Sequence, residues 1–272
     1  MFRLTNLRVA SQPCVREDVW QHRVMERAEL LAALERDGNA FGDACAAASL
    51  DAPVASCPGW TVADLVWHLA TAHDFWRTVV ADRLADWKAY TGPERPADDD
   101  LIALYRNGLT AVHEVLTATE STIEIWTWSA DKTAGFVIRR LAHETAVHRW
   151  DAEHAAGRSN DLEAELASDG IDEFLTHFLG DARAEAEPVG GSVHIHCQDV
   201  AGEWTLRPVD TDAAGTGFDV TREHAKGDCA IRGSASDVVL ALWRRIPLTA
   251  GTLNFAGDQS IAERFIARTS LD

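Results

Sequence analysis

The feature that most constrains this chain is a change of sequence pattern near Pro188 and Gly191. Before it, residues 26–185 contain long segments rich in Ala, Leu and Glu, which favour helices. After it, residues 190–272 contain short alternating runs separated by turn residues, which are typical of β-strands. The sequence therefore predicts a helical bundle over 26–185 and a small α+β domain over 190–272.

The individual elements follow from capping and turn residues. Thr61 is a good N-cap for the second helix, and Asp64 three residues later provides a capping box. In the bundle, helices are predicted at about residues 26–50, 61–87, 98–120, 134–156 and 162–179. In the second domain, the predicted strands are SVHIHC, EWTLRPV, GFDV, CAIRG and LNFAG, and the predicted helices are SASDVVLALWRR and SIAERFIARTS.

Charge and hydropathy exclude several classes of partner. The 272 residues include 25 Lys and Arg against 43 Asp and Glu, so the formal net charge is −18. Such a chain repels phosphate backbones and anionic lipid surfaces, so we expect neither nucleic acid nor membrane as a partner. No apolar run approaches the roughly 20 residues of a membrane-spanning helix.

The N-terminus and the cysteines complete this outline. Residues 1–25 are mildly basic and unlike the rest, so we expect a disordered extension, or a true start at Met25.

The cysteines are odd in number and contain no C-x-x-C pair, which argues against a disulfide framework and against a thiolate zinc site. We therefore expect a reducing cytoplasmic setting. The five cysteines are Cys14, Cys45, Cys57, Cys197 and Cys229.

Histidines and carboxylates lie within apolar helices. The stretch from His143 to His148 is one residue too long for the zincin H-E-x-x-H pattern. At about 100° per residue these two histidines lie about 140° apart and cannot share a metal from one helix face. Glu144 and His148 lie on one face, and Asp151 continues the same stripe. A third ligand must then come from another helix, and His68 on the second helix is the natural candidate.

Two histidines and one carboxylate leave a coordination position open, as in catalytic zinc sites. An open position accepts a thiol or a water and lowers its pKa, which makes it a nucleophile. Asp151, or Asp64 four residues before His68, is expected to hold an imidazole N–H from behind.

Other interpretations stay open at this stage. A single histidine on a helix face is more often an ordinary polar residue than a ligand. His194 and His196 would share one strand face and form a second possible metal site. Large aromatic residues in or beside irregular segments are core fillers or the walls of a pocket; they are Trp60, Trp126, Trp128 and Trp150.

Two blocks, SCPGWTVADLVWHLATAH and HETAVHRWDAEHAAG, resemble the mycothiol-dependent maleylpyruvate isomerase family, within the wider group of DinB-like metal-binding bundles. The tail GDCAIRGSASDVVLALWRR resembles the small, sterol-carrier-like C-terminal domain of that family. The resemblance implies a DinB-like four-helix bundle plus a small α+β domain. It also implies a metal, usually zinc, held by residues that match His68, Glu144 and His148.

The resemblance further implies a catalytic Asp and a catalytic Arg. The Asp of the H-R-W-D block is Asp151. The Arg matches Arg245, with Arg244 as the alternative because the LWRR pattern is ambiguous.

The function expected from this resemblance is metal-dependent thiol chemistry. Mycothiol would be the cosubstrate, activated as a metal-bound thiolate for addition to a small electrophile. The outcome is then a cis-trans isomerisation like that of maleylpyruvate, or an S-transfer. The alternatives are a metal-dependent hydrolase that uses bound water, and a module that binds a metal or a small ligand without turnover.

Overall fold

The computed structural model describes residues 23–179, 187–209 and 217–269. Most of the predicted N-terminal extension, residues 1–22, lies outside the described residues, as does the end of the predicted bundle at 180–185. The helices are α1 (Arg27–Ala47), α2 (Val62–Ala81), α3 (Asp98–Ala118), α4 (Ala134–Ala155), α5 (Ala164–His177), α6 (Ala235–Leu242) and α7 (Gln259–Arg268), with a short 3-10 helix at Trp87–Ala89. The strands are β1 (Val193–Cys197), β2 (Glu203–Val209), β3 (Gly217–Thr221), β4 (Cys229–Gly233) and β5 (Asn254–Gly257).

Side-chain caps set the starts of the helices that carry the site. Thr61 accepts a hydrogen bond from the Asp64 N–H, and Asp64 accepts one from the Thr61 N–H, so the predicted capping box is confirmed. Thr133 accepts from the Phe136 N–H at the start of α4. These bonds satisfy N–H groups that the first turn of a helix leaves without partners.

Helices α1 to α4 form a four-helix bundle, as predicted. Helix α1 packs against α3 and α4, and α2 packs against the same two helices. Gly38 lets α1 approach α3 closely, because a Cβ there would lie 2.6 Å from a methyl carbon of Leu109. Glycine is a poor helix former, so Gly38 is explained by packing between helices and not by helix propensity. No helix in the described part of the chain is both long and apolar enough to cross a membrane.

The second domain contains a five-stranded sheet in the order β3-β2-β1-β4-β5. All neighbouring strands are antiparallel except β1 and β4, which are parallel. The α+β prediction is therefore confirmed, with α6 and α7 packed against β4. Along β1, the buried apolar residues Val193, Ile195 and Cys197 alternate with His194 and His196 on the opposite face.

Helix α5 connects the two parts of the molecule. On one side Asp169 accepts a hydrogen bond from Arg139 of α4, with 2.6 Å between Nε and Oδ1. On the other side Asp172 accepts from the indole N–H of Trp204 on β2. The helix, which the predicted boundary assigns to the bundle, also packs along α6.

A buried histidine in α2 makes the stability of the bundle depend on pH. Burial lowers the pKa of His73 to about 4, and its Nε2 lies 3.1 Å from the Thr145 hydroxyl oxygen. The unfolded chain takes up this proton near pH 6.5, whereas the folded chain does not until about pH 4. The free energy of unfolding therefore keeps its full value with respect to this group above pH 6.5, and it decreases as the pH falls from 6.5 to about 4.

We expect His73→Phe to remove this pH dependence. Between pH 7 and pH 4 the wild type should lose about 3 kcal/mol of unfolding free energy relative to the variant, at roughly 1.4 kcal/mol per pKa unit. Urea unfolding followed by circular dichroism at several pH values measures the difference. Replacement of the exposed His154 is the control, and parallel wild-type and His73→Phe curves would contradict the assignment.

Candidate metal centre

The structure brings three of the predicted site residues together. His68 projects from α2, and Glu144 and His148 project from one face of α4. The Nε2 of His68 lies 3.3 Å from Oε1 of Glu144, and the rings of His68 and His148 have centroids 4.9 Å apart. One potential ligand atom from each residue lies within 4.8 Å of the other two.

Helix geometry explains which histidines meet. Glu144 and His148 are four residues apart, so they stack on the same face of α4. His143 points away from this face, toward α5, where its Nε2 lies 2.8 Å from Oδ1 of Asp169. The angular argument from the sequence therefore separates the two histidines as the structure does.

The donor set fits a divalent cation. Two imidazoles and one carboxylate suit zinc, and they also suit iron, nickel or manganese. Burial raises the pKa of Glu144, but the hydrogen bond from His68 and the charge of Arg140 outweigh it and lower that pKa to about 2. Burial lowers the pKa of His148. The carboxyl group is thus ionised and this imidazole neutral, which are the forms that bind metals.

Asp151 lies behind His148 and is fully buried. Its Oδ2 is 2.9 Å from Nδ1 of His148, so the other ring nitrogen remains available as a ligand. Burial raises the pKa of Asp151, but the hydrogen bond with His148 and the charge of Arg245 hold it well below its usual range. Asp151 therefore stays ionised and orients the imidazole.

Asp64, the other carboxylate considered for this orienting task, serves a different purpose. It accepts the Thr61 N–H in the α2 cap, and its Oδ1 lies 2.8 Å from a guanidinium nitrogen of Arg95. These contacts hold the pKa of Asp64 near 2. The structure thus assigns Asp64 to the start of the helix and Asp151 to the imidazole.

The two arginines of the LWRR sequence point to different places. Arg244 has φ of 57°, a left-handed conformation that few residues other than glycine adopt. Its guanidinium donates to the Ile266 carbonyl at the end of α7, at 2.8 Å. Arg245 instead donates from Nη2 to Oδ2 of Asp151, at 3.1 Å. Because of the backbone turn at Arg244, the Arg244 side chain contacts the end of α7 and the Arg245 side chain contacts Asp151.

The turn before α2 supplies two neighbours of Asp151 that the sequence analysis did not identify. The Ser56 hydroxyl donates to Oδ1 of Asp151 at 2.6 Å. The Cys57 sulfur lies 3.7 Å from Oδ2 of Asp151. Burial and the negative Asp151 raise the pKa of the Cys57 thiol to about 11, so it stays protonated and is a poor nucleophile. The CPGW sequence indicates a turn but not a packing partner 94 residues away.

The triad opens into a cleft of about 1500 Å³ between the bundle and the segment after α6. Of the four tryptophans considered as pocket walls, Trp60, Trp128 and Trp150 line the cleft. Trp126 instead stacks on Trp76, with ring centroids 6.3 Å apart. The cleft is wide enough for a small molecule together with a cosubstrate.

Basic side chains outnumber acidic ones along the cleft, whereas acidic side chains outnumber basic ones in the whole chain. Among the described residues that line the cleft, Glu144 is the one carboxylate, alongside three arginines and three histidines. These basic residues are Arg140, Arg244, Arg245, His68, His148 and His154. Arg140 and Arg245 are the cations beside the triad, and they also pair with the buried Glu173 and Asp151.

The fold and the site together define a class: two-domain proteins with a helical bundle that presents two histidines and a glutamate to an interdomain cleft. Residues 31–153 match the family model described as the mycothiol maleylpyruvate isomerase N-terminal domain. Residues 165–264 match the model of the C-terminal domain of the same family. The chain belongs to the mycothiol maleylpyruvate isomerase family. No curated protein matches the chain.

Solved structures show the same fold. The crystal structure of a mycothiol-dependent maleylpyruvate isomerase superposes with a TM-score of 0.57 at 11% identity, covering 85% of this chain and 93% of the other. A structure of such an isomerase with a histidine-to-alanine substitution gives 0.54 at 12% identity, covering 80% and 88%.

We expect Asp151→Asn to weaken metal binding while leaving the three ligands in place. An amide cannot hold the imidazole as the carboxylate does, and losing such a partner typically costs about 10–100-fold in metal affinity. Competition with a chromophoric zinc chelator measures the change. Asp64→Asn is the matched control, because that carboxylate caps α2. An unchanged zinc affinity in folded Asp151→Asn protein would contradict the orienting role.

Proposed function

We propose that this protein is a metal-dependent thiol enzyme that uses mycothiol as cosubstrate and acts on a small electrophile. The observation that carries the proposal is the meeting of His68, Glu144 and His148 at the wall of a cleft, in a chain of this family. A divalent cation, zinc first, would be held by these three side chains and would lower the pKa of a thiol so that it reacts as a thiolate.

The residues around the triad prepare it for this task. Glu144 provides a permanent negative charge, which offsets the charge of a cation. Asp151 fixes His148, and Arg245 and Ser56 in turn fix Asp151. A site held in this way needs little rearrangement when the metal binds.

The basic lining favours an electrophile that carries a carboxylate. Arg245 uses Nε and Nη2 for Asp151 and donates from Nη1 to the Trp243 carbonyl, which leaves donor capacity at Nη1. Arg140 also lines the cleft, beside the rings of Phe178 and Trp243. We propose Arg245 as the group that orients the substrate carboxylate, because it joins the cleft to the buried Asp151.

Two reactions share this starting point. In an isomerisation, the sulfur adds to a conjugated cis double bond, the carbon–carbon bond rotates, and elimination returns the thiol and the trans isomer. In an S-transfer, the sulfur stays on the product. Both need a stable reduced thiol. The four cysteines among the described residues are all unpaired, which supports our proposal of a reducing cytoplasmic compartment.

The test is the metal content of the purified full chain, combined with a thiol titration. We expect His68→Ala and Glu144→Ala each to hold about one metal equivalent less than the wild type, because three ligands define the site. Mycothiol added to cobalt-substituted wild type should produce a thiolate-to-cobalt absorption band. His154→Ala is the matched control, since this exposed histidine lines the cleft outside the triad.

The outcomes separate the alternatives. Metal bound without a thiolate band would contradict the thiol enzyme. In that case turnover of esters or amides without thiol would favour a hydrolase, and its absence a binding module. Full metal content in both variants would contradict the triad itself.

A further inference from the structure

A second cluster of potential ligands lies in the C-terminal sheet. His194 and His196 on β1 and Glu203 on β2 place one potential ligand atom each within 4.8 Å of the others. None of the three lines the interdomain cleft. The cluster is therefore separate from the triad, and the proposed thiol chemistry gives it no task.

The strand register explains why these residues meet. His196 pairs with Glu203 across the antiparallel β1–β2 ladder, and His194 lies two residues earlier on the same face. Glu203 is buried and accepts hydrogen bonds from Nδ1 of His196 and from Nδ1 of His224, the latter at 3.0 Å. One buried carboxylate thus has three imidazoles around it.

His194 has a buried ring nitrogen whose lack of a hydrogen-bond partner is not explained by the surrounding contacts. The residue is 4% exposed, and its Nε2 has no hydrogen-bond partner among the described residues. Buried polar atoms without partners are rare in folded proteins because they lose their contacts with water. A free imidazole nitrogen close to a second imidazole and a buried carboxylate is the arrangement that a metal ion completes.

The loop between β3 and β4 closes over this face of the sheet. Thr205, the cross-strand neighbour of His194, donates from its hydroxyl to the Glu223 carbonyl at 3.2 Å. A Cβ at Gly227 would lie 2.9 Å from the His194 backbone nitrogen, so only glycine lets the loop approach this closely. These two contacts bring the exposed His224 to the cluster.

We propose that His194, His196 and Glu203 bind a divalent metal ion of the zinc class, with His224 as a further ligand from the solvent side. Nitrogen-rich donor sets with one carboxylate select zinc and its neighbours over magnesium or calcium. Four protein ligands define a closed site, so the ion would be structural and would fix the 222–228 loop onto the sheet. Arg232 is exposed and lies opposite His196 in the β1–β4 pairing. The negative charge of Glu203 would offset the repulsion between Arg232 and a bound cation.

The experiment uses the full chain carrying Glu144→Ala, so that zinc at the first site does not obscure the count. After equilibration with zinc and removal of the excess, metal analysis should find about one equivalent per chain. Glu203→Gln, which preserves the side-chain shape, should remove it. Glu223→Gln in the adjoining loop is the matched control and should keep it.

His224→Ala is a second test variant that should fold normally, because that side chain is 75% exposed. This variant should bind zinc more weakly, and zinc should protect the 222–228 loop from proteolysis in the parent but less in the variant. Zinc retained by Glu203→Gln, or no zinc in the Glu144→Ala parent, would overturn the proposal and leave a hydrogen-bonded cluster. Failure of the His68, Glu144 and His148 site would give a different result, namely equal zinc contents in the wild type and in Glu144→Ala.

Discussion

Burial of charged side chains along α4 is the constraint on which the rest of the structure depends. This helix is buried on almost every side, and a buried charge without a partner is strongly destabilising. The neighbouring elements supply the partners: Asp37 of α1 pairs with Arg149, and Asp169 and Glu173 of α5 pair with His143 and Arg140. The buried polar residues of α4 include Arg140, His143, His148, Arg149, Asp151 and Glu153.

The candidate metal centre is one part of this arrangement. Asp151 requires positive or donating partners, and it receives them from His148, from Ser56 in the turn before α2 and from Arg245 beyond α6. The same carboxylate thus joins three distant segments and fixes the orientation of a proposed ligand. The pairing of Arg245 with Asp151 is thus one link between the two domains, and the same carboxylate holds the proposed ligand His148 in place.

Particular residues show how far sequence reasoning reaches. Capping by Thr61 follows from local hydrogen bonding, and the pairing of Glu144 with His148 follows from helical spacing, so both were predictable. Gly38 within α1 could not be explained from the sequence, because its value lies in close contact with another helix. Which of Arg244 and Arg245 reaches Asp151 was also closed to the sequence, since it depends on the left-handed backbone at Arg244.

The sequence by itself determined the two-domain architecture, the face of α4 that carries Glu144 and His148, and the resemblance to a thiol-dependent family. The first two depend on periodicity and spacing, which act over one or two helical turns, and the resemblance depends on matching sequence blocks. Only the tertiary structure decided that His68 meets that face, that Asp151 is the carboxylate bonded to His148, and that several basic side chains gather along one cleft of an acidic protein. These depend on contacts between segments far apart in the chain, where packing and the cost of burying charge choose the partners.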